Sequence, residues 1–138
     1  MNEREETKEE ILNRGLVDEL TAAAEYINCA AMYGDTVLKQ QFLQYADDEL
    51  HHALKIMRLM QDNEITPQNF TIPVPSGGLA ERMVEYIANE EAAIFYYDIL
   101  QKLYPTNDIS QLCREIKQEE EVHLRNIKEL FKQAKEYM

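Results

Sequence analysis

The stretch DELHHALKIM, at positions 48–57, places Glu49 three residues before His52. Residues three apart lie on the same face of an α-helix, so this stretch can direct a carboxylate and an imidazole to one point. One such pair is weak evidence by itself. The chain has 26 acidic residues and 3 histidines, and chance can place a glutamate at this spacing.

A second stretch, EEEVHLRNI at positions 119–127, repeats the spacing with Glu120 and His123. One constant offset in residue number relates the two motifs and also the residues around them. Within each set, the first glutamate precedes the second by 30 residues, and a tyrosine follows the first glutamate by seven. The chain therefore resembles two copies of one helical hairpin. The matched sets are Glu19, Tyr26, Glu49, His52 and Ile56, and Glu90, Tyr97, Glu120, His123 and Ile127.

Glycine is scarce, and apolar residues recur at spacings of three and four over long segments, which predicts an all-α chain. With 138 residues, of which 45% are hydrophobic, the chain fits one domain with a single core. We predict four helices that form a four-helix bundle. Their predicted bounds are about 5–33, 36–62, 79–103 and 109–137.

The connections between these helices differ in length. Gly34-Asp35 and Pro105-Thr106-Asn107 predict short turns, which make the flanking helices antiparallel. Residues 63–78 form a longer segment with three prolines, which can extend over roughly 50 Å. A 26-residue helix is roughly 39 Å long. We therefore predict a crossover along the bundle that leaves the second and third helices parallel.

Two hairpins packed face to face would bring four carboxylates and two imidazoles to the centre of the bundle. Four carboxylates balance the charge of two divalent ions, and mixed oxygen and nitrogen ligands suit iron or manganese. Without a metal, the buried glutamates would repel each other and take up protons. The predicted metal ligands are Glu19, Glu49, His52, Glu90, Glu120 and His123.

Tyr26 and Tyr97 lean back toward the level of these ligands, because helical side chains tilt toward the helix N-terminus. We predict that each hydroxyl meets a ligand carboxylate of the opposite hairpin, although ordinary interior tyrosines are the alternative. Other acidic residues are expected elsewhere. We predict a solvated face for Glu91, Glu119 and Glu121, because each is turned roughly 100° from a predicted ligand and breaks the offset.

Three further residues compete for a place at the centre. Glu25 reaches it only if the first helix is rotated. Asp48 and His51 repeat the spacing of the motif but have no counterpart on the fourth helix. We therefore place His51 at the surface or rim, and a transient metal position is the alternative for it.

Composition excludes several classes of function. A net charge of −12 repels phosphate backbones and argues against a nucleic-acid partner. No apolar stretch reaches the roughly 20 residues of a membrane span, and the acidic start lacks the features of a secretory signal. We expect a cytoplasmic protein with no membrane partner. Cys29 and Cys113 are predicted to be reduced core thiols, roughly 25 Å apart.

The chain resembles the ferritin-like superfamily, in its bacterioferritin and rubrerythrin branch. DELTAAAEYINCAAMYGD at 18–35 is similar to the first helix of bacterioferritins, and EEAAIFYY at 90–97 is similar to the third helix of rubrerythrin-like proteins. DELHHALKIM and EEEVHLRNI resemble the two helices that carry the Glu-x-x-His motifs. The resemblance covers nearly the whole chain and implies ferritin-type connectivity.

The resemblance also implies a diiron centre with two iron ions per chain, with manganese or a mixed pair as the alternative. The six predicted ligands would then carry the chemistry of a ferroxidase or a rubrerythrin-like peroxidase, which oxidises Fe(II) with O2 or H2O2. Leu50 stands where bacterioferritins have a haem-binding methionine, so we expect no haem. A homo-oligomer, dimeric or larger, is expected. The alternatives are an iron-storage or metal-sequestering subunit of an oligomer and a metal-free structural bundle.

Overall fold

The computed structural model describes residues 6–32, 34, 36–72 and 77–135. These residues form four α-helices, which are α1 (Lys8–Met32), α2 (Thr36–Asp62), α3 (Leu79–Leu103) and α4 (Asn107–Lys135). The ends of α2 and α3 coincide with the predicted bounds. The predicted ends of the first helix, at positions 5 and 33, and of the fourth, at position 137, lie outside the described residues, as does 73–76 in the predicted crossover.

Hydroxyl groups cap the N-termini of α1 and α4. The backbone N–H of Glu10 donates to Thr7 Oγ1 at 3.1 Å, and that of Ile109 donates to Thr106 Oγ1 at 3.3 Å. Threonine in this position satisfies a backbone N–H that has no partner within the helix. The cap at Thr106 explains why α4 begins at Asn107, two residues before the predicted start.

The helices pack as two hairpins. Helix α1 packs mainly on α2, and α3 mainly on α4, while smaller contacts between α1 and α3 and between α2 and α4 join the hairpins. Tyr26 of α1 contacts Glu90 of α3, and Glu19 of α1 contacts Tyr97 of α3. Because these partners run in opposite directions along the chain, α1 and α3 are antiparallel. Helix α1 is also antiparallel to α2, so α2 and α3 are parallel, as predicted.

The connection between α2 and α3 leaves the helix at Glu64, which has a positive φ of 56°. The backbone N–H of Ile65 donates to the carbonyl of Met60 at 2.8 Å, which closes the last turn of α2. Further along, the N–H of Gln68 donates to Asn13 Oδ1 of α1 at 2.9 Å. Residues 65–72 therefore run along the bundle without regular secondary structure.

Two apolar clusters fill the core, and the predicted metal ligands lie between them. One cluster includes Leu12, Ile56 and Ile116, and the other includes Phe42, Met83 and Ile127.

The two thiols are buried and unbonded to each other, as predicted. Cys113 belongs to the cluster around Ile56, and Cys29 belongs to the cluster around Met83. None of the described helices is apolar over a length sufficient to cross a membrane.

The bundle thus has two apolar clusters, which are separated by one polar layer.

Candidate metal centre

The polar layer contains all six predicted ligands, and every one of them is buried. Their exposed fractions range from 0% to 4% of the residue surface. Helices α1 and α3 each contribute one glutamate, whereas α2 and α4 each contribute one glutamate and one histidine. The structure therefore brings together Glu19, Glu49, His52, Glu90, Glu120 and His123.

These side chains form two overlapping groups of possible ligands. In each group, one ligand atom from every residue lies within 4.8 Å of the others. Glu49 and Glu120 belong to both groups, which is the arrangement of carboxylates that can bridge two ions. Glu19 and His52 complete the first group, and Glu90 and His123 complete the second. We call these the Glu19 half-site and the Glu90 half-site.

Each of the six side chains has at least one buried polar atom that makes no hydrogen bond to the described residues. His52 Nδ1 lies 2.6 Å from Glu120 Oε1, and His123 Nδ1 lies 2.9 Å from Glu49 Oε1, but neither pair is aligned for a hydrogen bond. A buried polar atom without a partner costs free energy. Because these atoms converge from four helices, each of the two groups could hold a metal ion.

Electrostatics within the layer support this fit. Burial and the charge of Glu19 raise the pKa of Glu49 well above its usual range, and burial also raises that of Glu120. Burial opposes a charged His52, but the carboxylates of Glu120 and Glu19 outweigh it and raise the pKa of this histidine to about 11. Without a metal, therefore, the layer must hold protons to reduce its negative charge. Two divalent cations would balance four carboxylates.

Both histidines are fixed by a carboxylate on the far side of the ring. His52 Nε2 lies 2.7 Å from Glu119 Oε2, and His123 Nε2 lies 2.7 Å from Asp48 Oδ2. A carboxylate that accepts a hydrogen bond from Nε2–H holds the ring with Nδ1 toward the layer, where a metal can replace the proton on Nδ1. Each Nδ1 atom points into the ligand layer.

The two tyrosines cross between the hairpins. The hydroxyl of Tyr26 donates to Glu90 Oε1, and that of Tyr97 donates to Glu19 Oε1 at 2.6 Å. The Oε2 atom of each of these glutamates makes no hydrogen bond to the part of the chain that the structure describes. The tyrosines thus hold one carboxylate oxygen and leave the other directed at the centre.

The model of one protein family, the ferritin-like domain, matches residues 9–137. The chain belongs to this family. Among solved structures, the chain is similar to the crystal structure of a PmFTN variant soaked in iron overnight, at 13% sequence identity and a TM-score of 0.73. The similarity covers 93% of this chain and 87% of that one, and it shows a shared fold. Among curated protein sequences, none matches the chain.

Within this ferritin-like bundle, sequence reasoning missed the roles of Asp48 and Glu119. We predicted that Glu119 breaks the offset, which is wrong because the same offset relates it to the equally acidic Asp48. Glu119 is partly solvated, as predicted, with 44% of its side chain exposed, but its carboxylate also contacts His52. The offset would have found both residues had it been applied to the position before each ligand glutamate.

The other candidate residues belong to neither group of possible ligands. Glu91 and Glu121 are exposed, as predicted. His51 is exposed over 61% of its side chain, and its Nδ1 lies 2.8 Å from the carbonyl of Asp47. Its position agrees with the predicted surface or rim. Glu25 is buried but belongs to neither group of ligands.

Glu25 lines a cavity of about 250 Å³ between α1 and α3, beside the layer. Asn89 Nδ2 lies 3.3 Å from its Oε2 atom. Burial is the largest cause that raises the pKa of Glu25, to about 7, with the charge of Glu90 among the smaller contributions. Glu25 is therefore a buried carboxylate outside both groups of ligands, next to the Glu90 half-site.

Proposed function

We propose that this ferritin-like chain binds two iron ions in the carboxylate and histidine layer and oxidises Fe(II) with O2 or H2O2. The observation that carries the proposal is the convergence of buried, unpartnered ligand atoms in two overlapping groups. Oxygen and imidazole ligands without thiolates suit iron, and manganese is the alternative ion. A metal-free structural bundle gains nothing from four glutamates that repel each other in its core.

Bound iron would supply two adjacent redox centres able to pass electrons to O2 or H2O2. The residues of the chain hold and orient these ions. Glu49 and Glu120 belong to both half-sites and can bridge them, whereas Glu19 and Glu90 each serve one. The two apolar clusters lie on either side of the layer along the bundle. Tyr26 and Tyr97 keep the unshared glutamates in place through their hydroxyl groups.

The proposal is tested by anaerobic titration of the metal-free protein with Fe(II), followed by air or H2O2. We expect saturation at about two ions per chain, followed by rapid formation of ferric iron measured by its near-ultraviolet absorbance. The relative rates with the two oxidants distinguish a ferroxidase from a peroxidase.

The variants Glu49→Ala and Glu120→Ala remove the shared carboxylates and should abolish rapid oxidation, while circular dichroism shows unchanged helicity. The matched control is Glu121→Ala, since Glu121 adjoins a shared ligand but is exposed. It should oxidise Fe(II) like the original protein. Oxidation at the original rate in both Glu49→Ala and Glu120→Ala would contradict the assignment.

A further inference from the structure

The cavity between α1 and α3 reaches from the surface to the predicted ligands. Glu19, Glu49 and Glu90 line its inner part, and their exposed fractions are 4%, 1% and 3%. Each has a carboxylate oxygen without a hydrogen bond to the described residues. At the outer part the lining residues Asp18, Glu85 and Asn89 are exposed. The cavity thus connects solvent with unpartnered oxygen atoms of both half-sites.

The opposite side of the layer is closed by the histidines. The rings of His52 and His123 fill the space between α2 and α4, and Glu119 and Asp48 bond to their outer nitrogen atoms. Exposed fractions of 0% and 2% leave these rings almost no surface. A small solute that approaches the ligands therefore meets imidazole rings from the α2 and α4 side and an opening from the α1 and α3 side.

Glu25 also lines this cavity, beside the exposed Asn89. It is only 8% exposed, and its one described polar side-chain partner is the neutral amide of Asn89, at 3.3 Å. Burial of a carboxylate without a cationic partner costs free energy, so packing alone does not explain this residue. The lining residues described for the cavity include no lysine or arginine. Acidic residues in a cleft with low-dielectric walls concentrate cations.

Small side chains keep the passage open. Ala22 on α1 and Ala93 on α3 both line it, and the offset between the two hairpins relates them. The helices therefore present alanine to each other at equivalent positions of the two hairpins. A larger side chain at either position would occupy the space between the outer carboxylates and the ligands.

We propose that this cavity is the passage through which divalent cations enter the metal centre, with Glu25 as a transient carboxylate ligand on the way. The inference rests on the proposed function, because it requires a centre that accepts cations. It assigns a role to Glu25 outside both groups of ligands. Neutral oxidants need no carboxylate, so replacement of Glu25 should affect cation entry alone, whereas a block of the space should affect cations and oxidants together.

The test is stopped-flow uptake of Co2+ by the metal-free protein, measured by the visible absorbance of bound Co2+. We expect Glu25→Gln to slow uptake about tenfold, the lower end of electrostatic steering in a charged cleft, with the number of ions bound at equilibrium unchanged. The control Glu91→Gln makes the same substitution on the exposed part of α3, where Glu91 pairs with Lys128 at 3.6 Å. It should change the rate by less than about twofold.

A steric variant tests the passage independently of charge. Ala93→Leu should slow both the uptake of Co2+ and the reoxidation of the iron-loaded protein by O2. The exposed Ala88→Leu on the same helix is its control and should change neither rate. If the original protein binds neither Co2+ nor Fe(II), the proposed function fails. If it binds Co2+ and both Glu25→Gln and Ala93→Leu take it up at the original rate, the passage is wrong while the centre stands. A slow Ala93→Leu with an unchanged Glu25→Gln overturns the role of Glu25.

Discussion

The two half-sites of the proposed centre have the same types of side chain but different surroundings. Each half-site has one unshared glutamate, one histidine whose Nδ1 faces the layer and one tyrosine from the opposite hairpin. Both half-sites share Glu49 and Glu120. The carboxylates that fix the histidines, Asp48 and Glu119, also correspond under the offset between the hairpins. The inner part of the centre is therefore a pseudo-twofold arrangement down to the groups that orient the rings.

The surroundings differ where α1 and α3 face each other. Tyr96 on α3 packs over Gly15 on α1, and its hydroxyl donates to the carbonyl of Ile11 at 3.0 Å. At the equivalent place in the other half, Tyr86 on α3 donates to the carbonyl of Glu25 on α1 at 3.2 Å. The offset relates the pair Gly15 and Tyr96 to the pair Tyr86 and Glu25. One half therefore has a tyrosine over a glycine at this contact, and the other half has a tyrosine beside a buried glutamate. Ligand geometry is duplicated, while access and local charge are not.

The largest effect expected from this difference concerns the two unshared glutamates, Glu19 and Glu90. Glu19→Ala should remove one ion completely, because the nearest equivalent position to Glu25 in that half is Tyr96, which supplies no carboxylate. Glu90→Ala should lower the affinity for the second ion by more than about a hundredfold, a larger loss than removal of a residue that only orients a ligand. It should still leave a measurable site, because the carboxylate of Glu25 lies next to the Glu90 half-site. Calorimetric titration with Co2+ measures both.

The double variant Glu25→Ala with Glu90→Ala is the control for this prediction and should bind one ion, like Glu19→Ala. Equal losses in the two single variants would show that the two half-sites behave alike despite their surroundings. In that case the pseudo-twofold relation would extend to the energetics, and Glu25 would have no part in equilibrium binding.

An intermediate effect is expected for the carboxylates behind the histidines. Asp48→Asn and Glu119→Gln should each weaken the binding of one ion by about 10-fold to 100-fold, because a neutral amide oxygen accepts a weaker hydrogen bond from Nε2–H than a carboxylate does and no longer raises the basicity of Nδ1. The effect of Asp48→Asn should be larger, since Asp48 is 28% exposed and Glu119 is 44% exposed, and water competes less for a buried contact. Calorimetry with Co2+ and crystallographic occupancy measure the loss.

Asp47→Asn provides the control, because Asp47 is 60% exposed and faces His51 instead of the centre. Its Co2+ affinity should equal that of the original protein. Unchanged affinity in both Asp48→Asn and Glu119→Gln would mean that packing alone orients the rings.

Much of the ligand layer was predictable because helical periodicity fixes the face of a residue. The two Glu-x-x-His motifs and the offset predicted which side chains lie together, and the structure places all six in one layer. The long segment at 63–78 likewise predicted parallel second and third helices. Asp48 and Glu119 were missed because only the angle of each residue around the helix axis was considered, and the length of the side chain was not. A long side chain on the flank can still reach the outer nitrogen of an imidazole on the facing helix.

The cavity could not be predicted from the sequence by the same reasoning. Its existence depends on the distance between α1 and α3 at the small residues Ala22 and Ala93, and periodicity does not give that distance. Sequence reasoning predicted that Glu25 lies outside the ligand set, and Glu25 belongs to neither group of possible ligands. The sequence did not predict that Glu25 is buried, because rotation of the first helix was considered only as a way for Glu25 to reach the metal.

The smallest effect on metal binding is expected from Gly15→Ala, which alters the surroundings of the Glu19 half-site and none of its ligands. A Cβ at this position would overlap the hydroxyl and ring of Tyr96, which is buried and hydrogen-bonded to Ile11. Overpacking of about 1–3 kcal/mol exceeds the gain in helix propensity of about 1 kcal/mol, so urea denaturation should show a less stable protein. Gly34→Ala is the control, since no described atom lies within 4 Å of its added Cβ. Two ions bound with unchanged affinity would show that Tyr96 supports the fold, whereas loss of an ion would make the tyrosine contact part of the centre.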